Sequence, residues 1–202
     1  MLERALDSRV PCGWVTGDEV YGGDHALRLW LESKAQPFVL AIKKSEPLWW
    51  QGPTYVRPDK IPRALPPKAW RRLSAGIGAK GERLHDWALT PLWRLQLSAE
   101  KPRFGHYLLV RRSLDETREH AYYVVYAPRT KVTRQTLVNV AGRRWEIEVG
   151  FEAAKGECGL DQYEVRRWRG WYGHITLALL AHAVLAALRV HAKKRQLKVH
   201  FH

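Results

Sequence analysis

Trp14-Val15-Thr16-Gly17-Asp18-Glu19-Val20-Tyr21-Gly22-Gly23-Asp24 opens a strand, helix, strand unit that runs on to Ile42. Trp14 to Gly17 is a short, mostly apolar run ending at a carboxylate, Asp18, and Gly22-Gly23 then turns the chain. Asp24 to Ser33 has helical spacing, with Asp24 as its N-cap and Leu27, Trp30 and Leu31 on one face. Pro37-Phe38-Val39-Leu40-Ala41-Ile42 is nearly all apolar, the pattern of a parallel strand covered on both faces. The unit predicts an α/β fold with Asp18 at a strand end.

Upstream, Met1 to Arg9 alternates apolar and charged residues like the end of a helix, which Pro11 and Gly13 stop. Downstream, from Lys43 to about Pro91, Pro47, Pro53, Pro58, Pro62, Pro66 and Pro67 break any long helix, and the texture is that of an insertion. Trp93 to Leu97, Tyr107 to Arg112 and Ala121 to Ala127 read as strands. The last two, joined by the polar Ser113 to His120, predict an antiparallel sheet. Thr133 to Lys155 returns to helical spacing, with Leu137, Val140, Trp145, Ile147, Val149 and Phe151, and Gly159 ends it. A last helix is expected from about Gly173 to Lys194.

A chain of 202 residues can bury a sizeable core, enough for one domain with an insertion. Its 34 Lys and Arg against 20 Asp and Glu give a formal charge of +14, which calls for an anionic partner. Nucleic acid is the commonest; charge alone leaves a ribosome-associated or membrane-surface protein open. Ten Trp exceed what a core of this size needs, so some are either stacking surfaces or simply buried. Cys12 and Cys158 fit neither a zinc ligand set nor a disulfide framework, and a reducing cytoplasm is the expected location. Met1 to Val10 mixes acidic and basic residues, unlike a signal peptide. The apolar run Ile175 to Leu188 is shorter than the roughly 20 residues that span a bilayer, and is read as a core helix.

The chemistry concentrates in Arg144-Trp145-Glu146-Ile147-Glu148-Val149-Gly150-Phe151-Glu152-Ala153-Ala154-Lys155. Arg144, Glu148, Glu152 and Lys155 fall at steps of four, four and three, one charged helical face, with Ile147 and Phe151 expected to turn toward the core. Alone, that describes a charge-laced amphipathic helix with a solvated face. Phosphoryl transfer on DNA, however, needs a few carboxylates on separate elements to hold divalent metals, and hard oxygen ligands suit magnesium or manganese.

The order Arg144, Glu148, Lys155 resembles the Y-R-E-K signature of a large group of bacterial insertion-sequence transposases of the DDE type, with Ala141 standing where the signature has Tyr. Gly17-Asp18-Glu19-Val20-Tyr21-Gly22 is similar to the block holding their second catalytic Asp. Gly159-Leu160-Asp161-Gln162-Tyr163-Glu164-Val165-Arg166-Arg167-Trp168 and Gly170-Trp171-Tyr172-Gly173-His174 resemble the tail that follows the catalytic helix in some of them. The resemblance implies a ribonuclease-H-like mixed sheet flanked by helices, formed by 1–42 and 133–202, with 43–132 as a strand-rich insertion. It further implies that Asp18 and Glu148 are catalytic and ligate Mg2+ (or Mn2+), and that Arg144 and Lys155 contact phosphates of double-stranded DNA at transposon ends. Tyr21 either touches phosphate or packs beside the site.

In that family the first catalytic Asp sits on the first core strand, well upstream of the second. Only residues 1–17 precede Asp18, and their one Asp, Asp7, lies in a helix-like segment. The expectation is a fold incomplete at its N-terminus, from a truncated or split reading frame, with impaired catalysis and an exposed sheet edge that favours a homodimer or a mixed oligomer with full-length transposase. The rival reading is a noncatalytic DNA-binding protein that competes or assembles with such a transposase; an unrelated basic RNA-binding protein is a third. Trp49-Trp50 and Trp70-Arg71-Arg72 either stack on a displaced base or pack locally. Arg166, Arg167 and Arg169 with Trp168 read as a DNA-backbone contact or a solvated face. His174, His182 and His191 are spaced too widely for one metal-binding face and are read as structural, and no membrane partner is expected.

Overall fold

The computed structural model describes residues 2–78, 81–94, 103–130 and 132–199, the last seven as backbone only. The chain divides into two compact units, Met1–Arg144 and Trp145–His202. The first begins with α1 (Leu2–Asp7), β1 (Val15–Gly17), α2 (Glu19–Gly22), α3 (His25–Ser33) and β2 (Phe38–Ile42). It continues through β3 (Leu48–Trp49), β4 (Tyr55–Val56), α4 (Ile61–Ala64), β5 (Trp70–Gly78), β6 (Gly81–Pro91), β7 (Phe104–Arg112) and β8 (His120–Pro128). α5 (Arg134–Cys158) crosses from the first unit into the second, and α6 (Trp168–Val199) follows.

Six strands form one sheet in the order β1-β2-β8-β7-β6-β5. β1 and β2 run parallel, with Thr16 opposite Val39, and every other neighbouring pair is antiparallel. Because side chains alternate along a strand, β2 sends Phe38, Leu40 and Ile42 to one face and Val39 to the other. Leu108, Val110, Tyr122 and Val124 join the first set, which packs with Leu31 of α3 and Ile61 of α4. Trp87, Leu109, Tyr123 and Val125 join the second and pack with Leu137, Val138 and Ala141 of α5. This is the mixed sheet flanked by helices that a ribonuclease-H-like fold requires.

The segment 43–132, expected as a strand-rich insertion, supplies β5 to β8 to the same sheet as β1 and β2. The join is β2 to β8, in register from Phe38 opposite Tyr126 to Ile42 opposite Tyr122, which hydrogen-bonds both edges of the most buried strand. β5 and β6 were hidden in the Pro- and Gly-rich texture. Their Arg71, Arg72, Glu82 and His85 hold polar positions, so neither run is apolar enough to read as a strand. Trp93 and Arg94, expected to open a strand, lie outside one: the Leu92 and Trp93 amides instead donate to the carbonyls of His106 and Trp49. The rest of that expected strand, 95–97, lies outside the described residues.

In the second unit the core is small, built from Ala154, Leu160 and Ala178 with Cys158 and Ile175 against them. Gly159, at φ +62°, ends α5 in the left-handed conformation that favours glycine. Ile147 and Phe151, expected to face a core, are 59% and 48% exposed; the buried contacts of this unit are made instead by Ala154 of α5, Leu160 just after it and Ala178 of α6. α6 likewise is not the buried helix expected from Ile175 to Leu188, since Leu177, Leu180, Val184 and Leu188 are all exposed. It is also longer than expected, and Trp168–Ala192 is long and apolar enough to cross a membrane.

Candidate functional site

Asp18 follows β1 directly, and its backbone is extended, so its side chain can fold back over the next turn as an N-cap. Its Oδ1 accepts hydrogen bonds from the amides of Val20 at 2.9 Å and Tyr21 at 3.4 Å. Those amides satisfy one carboxylate oxygen of a residue that is exposed to solvent. The α2 turn that carries them is locked onto β2: a Cβ on Gly22 would stand 1.7 Å from the Ala41 carbonyl oxygen, so only glycine allows this approach. Asp18 is thereby held just past the C-terminal end of a parallel strand, where open α/β sheets bind their ligands. Tyr21 is exposed, and its side chain lies close against Gly17.

Glu148 lies on α5 in the second unit, exposed to solvent, and Lys155 is exposed seven residues further along the same helix. Arg144 is half-buried and is the last residue of the first unit. Asp7 falls in α1, as its helix-like segment suggested. Among the described residues no three His, Cys, Asp or Glu side chains form a group that could hold a metal ion. Asp18 and Glu148 each carry the hard oxygen donors that magnesium or manganese prefers.

The tryptophans expected to stack on bases divide by environment. Trp50 donates its indole N–H to Thr90 Oγ1 at 3.0 Å, and Trp70 lies under the Arg112 guanidinium at 4.1 Å, so both are committed to packing. Trp49 instead lines a cavity of about 270 Å3 with Trp93, Tyr55, Arg28, Glu32 and His106, which the sequence did not disclose. Its polar wall is internally paired: Arg28 bonds Glu46, while Glu32 lies 3.0 Å from His106 and 3.2 Å from Arg94. Burial pushes the Glu32 carboxyl upward, but the hydrogen bond and charge of His106, with Arg94 and Arg28, hold it below the usual range.

Arg166 and Arg167 lie just before α6 and Trp168 opens it; all three are exposed, as is Arg169. His174 packs into the loop before that helix, its Nε2 2.9 Å from the Gly159 carbonyl oxygen, which is the structural role expected of it.

Residues 2–184 match the sequence pattern of the family described as Transposase DDE domain. No curated protein matches the chain.

Proposed function

The chain belongs to the transposase DDE domain family, and on that footing we propose that it acts on double-stranded DNA at transposon ends, in the metal-dependent cleavage and strand transfer of an insertion sequence. Asp18 and Glu148 are the carboxylates of this reading and would hold Mg2+ or Mn2+. When bound, such ions activate the attacking hydroxyl and stabilise the leaving oxygen. The single observation that supports it best is Asp18: an exposed carboxylate fixed at a strand end, with one oxygen bonded to two amides.

The cationic residues take the substrate. Arg144 forks onto phosphate and Lys155 supplies a mobile point charge on the same helix. Arg166 and Arg167 extend the contact along the backbone, and Tyr21 adds a hydroxyl beside Asp18. Two carboxylates hold metal weakly, and no three-ligand cluster exists among the described residues. On this reading the set is completed by a third carboxylate from another protein, which a mixed oligomer with full-length transposase would bring, and the chain alone is impaired.

Manganese binding tests the assignment through the spin-resonance signal of free Mn2+. Weak binding to the wild-type chain that is lost in both Asp18→Asn and Glu148→Gln supports it. Binding unchanged in either variant removes that residue from the site and favours the noncatalytic DNA-binding alternative.

A further inference from the structure

Beside the basic segment Arg166-Arg167 stands an aromatic cluster whose rings a backbone contact alone would not use. Trp168, Trp171 and Tyr172 occupy the first turns of α6 at spacings of three and four, which place side chains on one helical face. The Trp168 and Trp171 rings stack with centroids 4.9 Å apart and planes 24° from parallel. Tyr172 joins Trp168 at 6.2 Å, and Tyr163 meets Trp171 edge-on at 6.4 Å. Trp171 is half-buried, yet Trp168 is 71% exposed and Tyr172 61% exposed. One face of the Trp168 indole is thus backed by Trp171 while the rest of the ring meets water.

Large aromatic surface left in water next to a run of exposed arginines has a specific partner chemistry. The stacked rings are already ordered, so a flat ligand that lands on Trp168 immobilises little side-chain freedom. Arg166, Arg167 and Arg169 are exposed within three residues of it, which favours an anion alongside the flat group. An aliphatic protein surface would use the rings but leave three cations without counter-charges. Paired DNA would use the cations but hide its base faces. An unpaired strand offers both, a base to stack and phosphates spaced along its backbone.

We propose that Trp168, backed by Trp171 and flanked by Tyr172, is a stacking platform for the bases of single-stranded DNA, with Arg166, Arg167 and Arg169 tracking its phosphates. The inference rests on the DNA reading above but not on catalysis or metal. It gives the chain a site for an end at which the duplex has opened, separate from the phosphate contacts assigned to Arg144 and Lys155.

Fluorescence anisotropy with a labelled single-stranded oligonucleotide and with a blunt duplex of the same length and sequence tests this on the full chain. Trp168→Ala is expected to weaken single-strand binding by about tenfold or more, the worth of one lost base stack, and to leave duplex binding within about twofold. Trp168→Tyr, which keeps a ring, restores most of the loss, and circular dichroism of the Ala variant shows α6 intact. Equal losses on both DNAs, no loss on either, or a wild-type chain that binds duplex but not single strand each overturn the platform; the last leaves the transposase reading standing. A chain that binds neither DNA defeats both. A shift from dimer to monomer on Trp168→Ala, seen by light scattering, overturns it in favour of a contact between copies.

Discussion

Asp18 Oδ1 accepts the Val20 amide at 2.9 Å, so the carboxylate that starts α2 is the one proposed above to hold a metal. The two jobs separate by substitution. Asn keeps an acceptor for the cap and removes the charge, whereas Ala removes both. Asp18→Asn is expected to leave stability nearly unchanged, while Asp18→Ala lowers it by about 1 kcal/mol, the usual worth of an N-cap. Urea unfolding distinguishes them. Equal stability of the Ala variant and wild type would contradict the capping role.

Gly22 fixes where that carboxylate sits. A methyl group there meets the Ala41 carbonyl at 1.7 Å, and the oxygen belongs to the buried strand β2, which cannot yield. Gly22→Ala is expected to cost roughly 2–3 kcal/mol or more, as overpacking against backbone does. A Cβ on Gly23 stands 3.1 Å from the Glu19 carbonyl oxygen, so Gly23→Ala is expected to cost much less. Thermal melts of the two variants check the order, and equal melting temperatures would contradict it.

Acid should weaken the first unit in two stages. Burial, with Arg111 nearby, pushes the His85 ring below its ordinary pKa, and burial with Arg112 does the same to His120. Each group binds its proton less readily folded than unfolded, so its contribution is complete above about pH 6.5 and is lost as pH falls below that. Asp86 follows. Burial opposes its ionisation, but hydrogen bonds from Arg112 and Arg72 outweigh that and hold the carboxyl low. Its contribution is present above about pH 4 and is lost on further acidification.

Asp86→Asn keeps an acceptor but leaves Arg112, 3.1 Å away, without its counter-charge. We expect a loss of roughly 1–3 kcal/mol at neutral pH and a flatter stability profile below pH 4. Urea unfolding across pH 3 to 8 reads both stages. A profile for Asp86→Asn parallel to wild type below pH 4 would remove Asp86 from the account.

What the sequence disclosed is local. Asp24 before an apolar-periodic run marked the start of α3, and its side chain does accept the Leu27 amide at 3.1 Å. Phe38 to Ile42 was legible because burial on both faces leaves no polar position. β5 and β6 were not, because arginine and glutamate hold so many of their positions. Periodicity also misassigned Ile147 and Phe151: spacing shows that a helix has an apolar face, but not whether anything covers it. Trp168 was noted among its arginines, yet its stacking on Trp171 needed the helix to begin at Trp168 rather than Gly173.

The most direct test incubates this chain with Mg2+ or Mn2+ and DNA bearing the element's ends, beside Glu148→Ala. The account predicts salt-sensitive binding by both proteins, with neither nicking nor strand transfer from the wild-type chain alone. Cleavage by the wild-type chain that disappears in Glu148→Ala would contradict it, because a third ligand would then have to lie within these 202 residues.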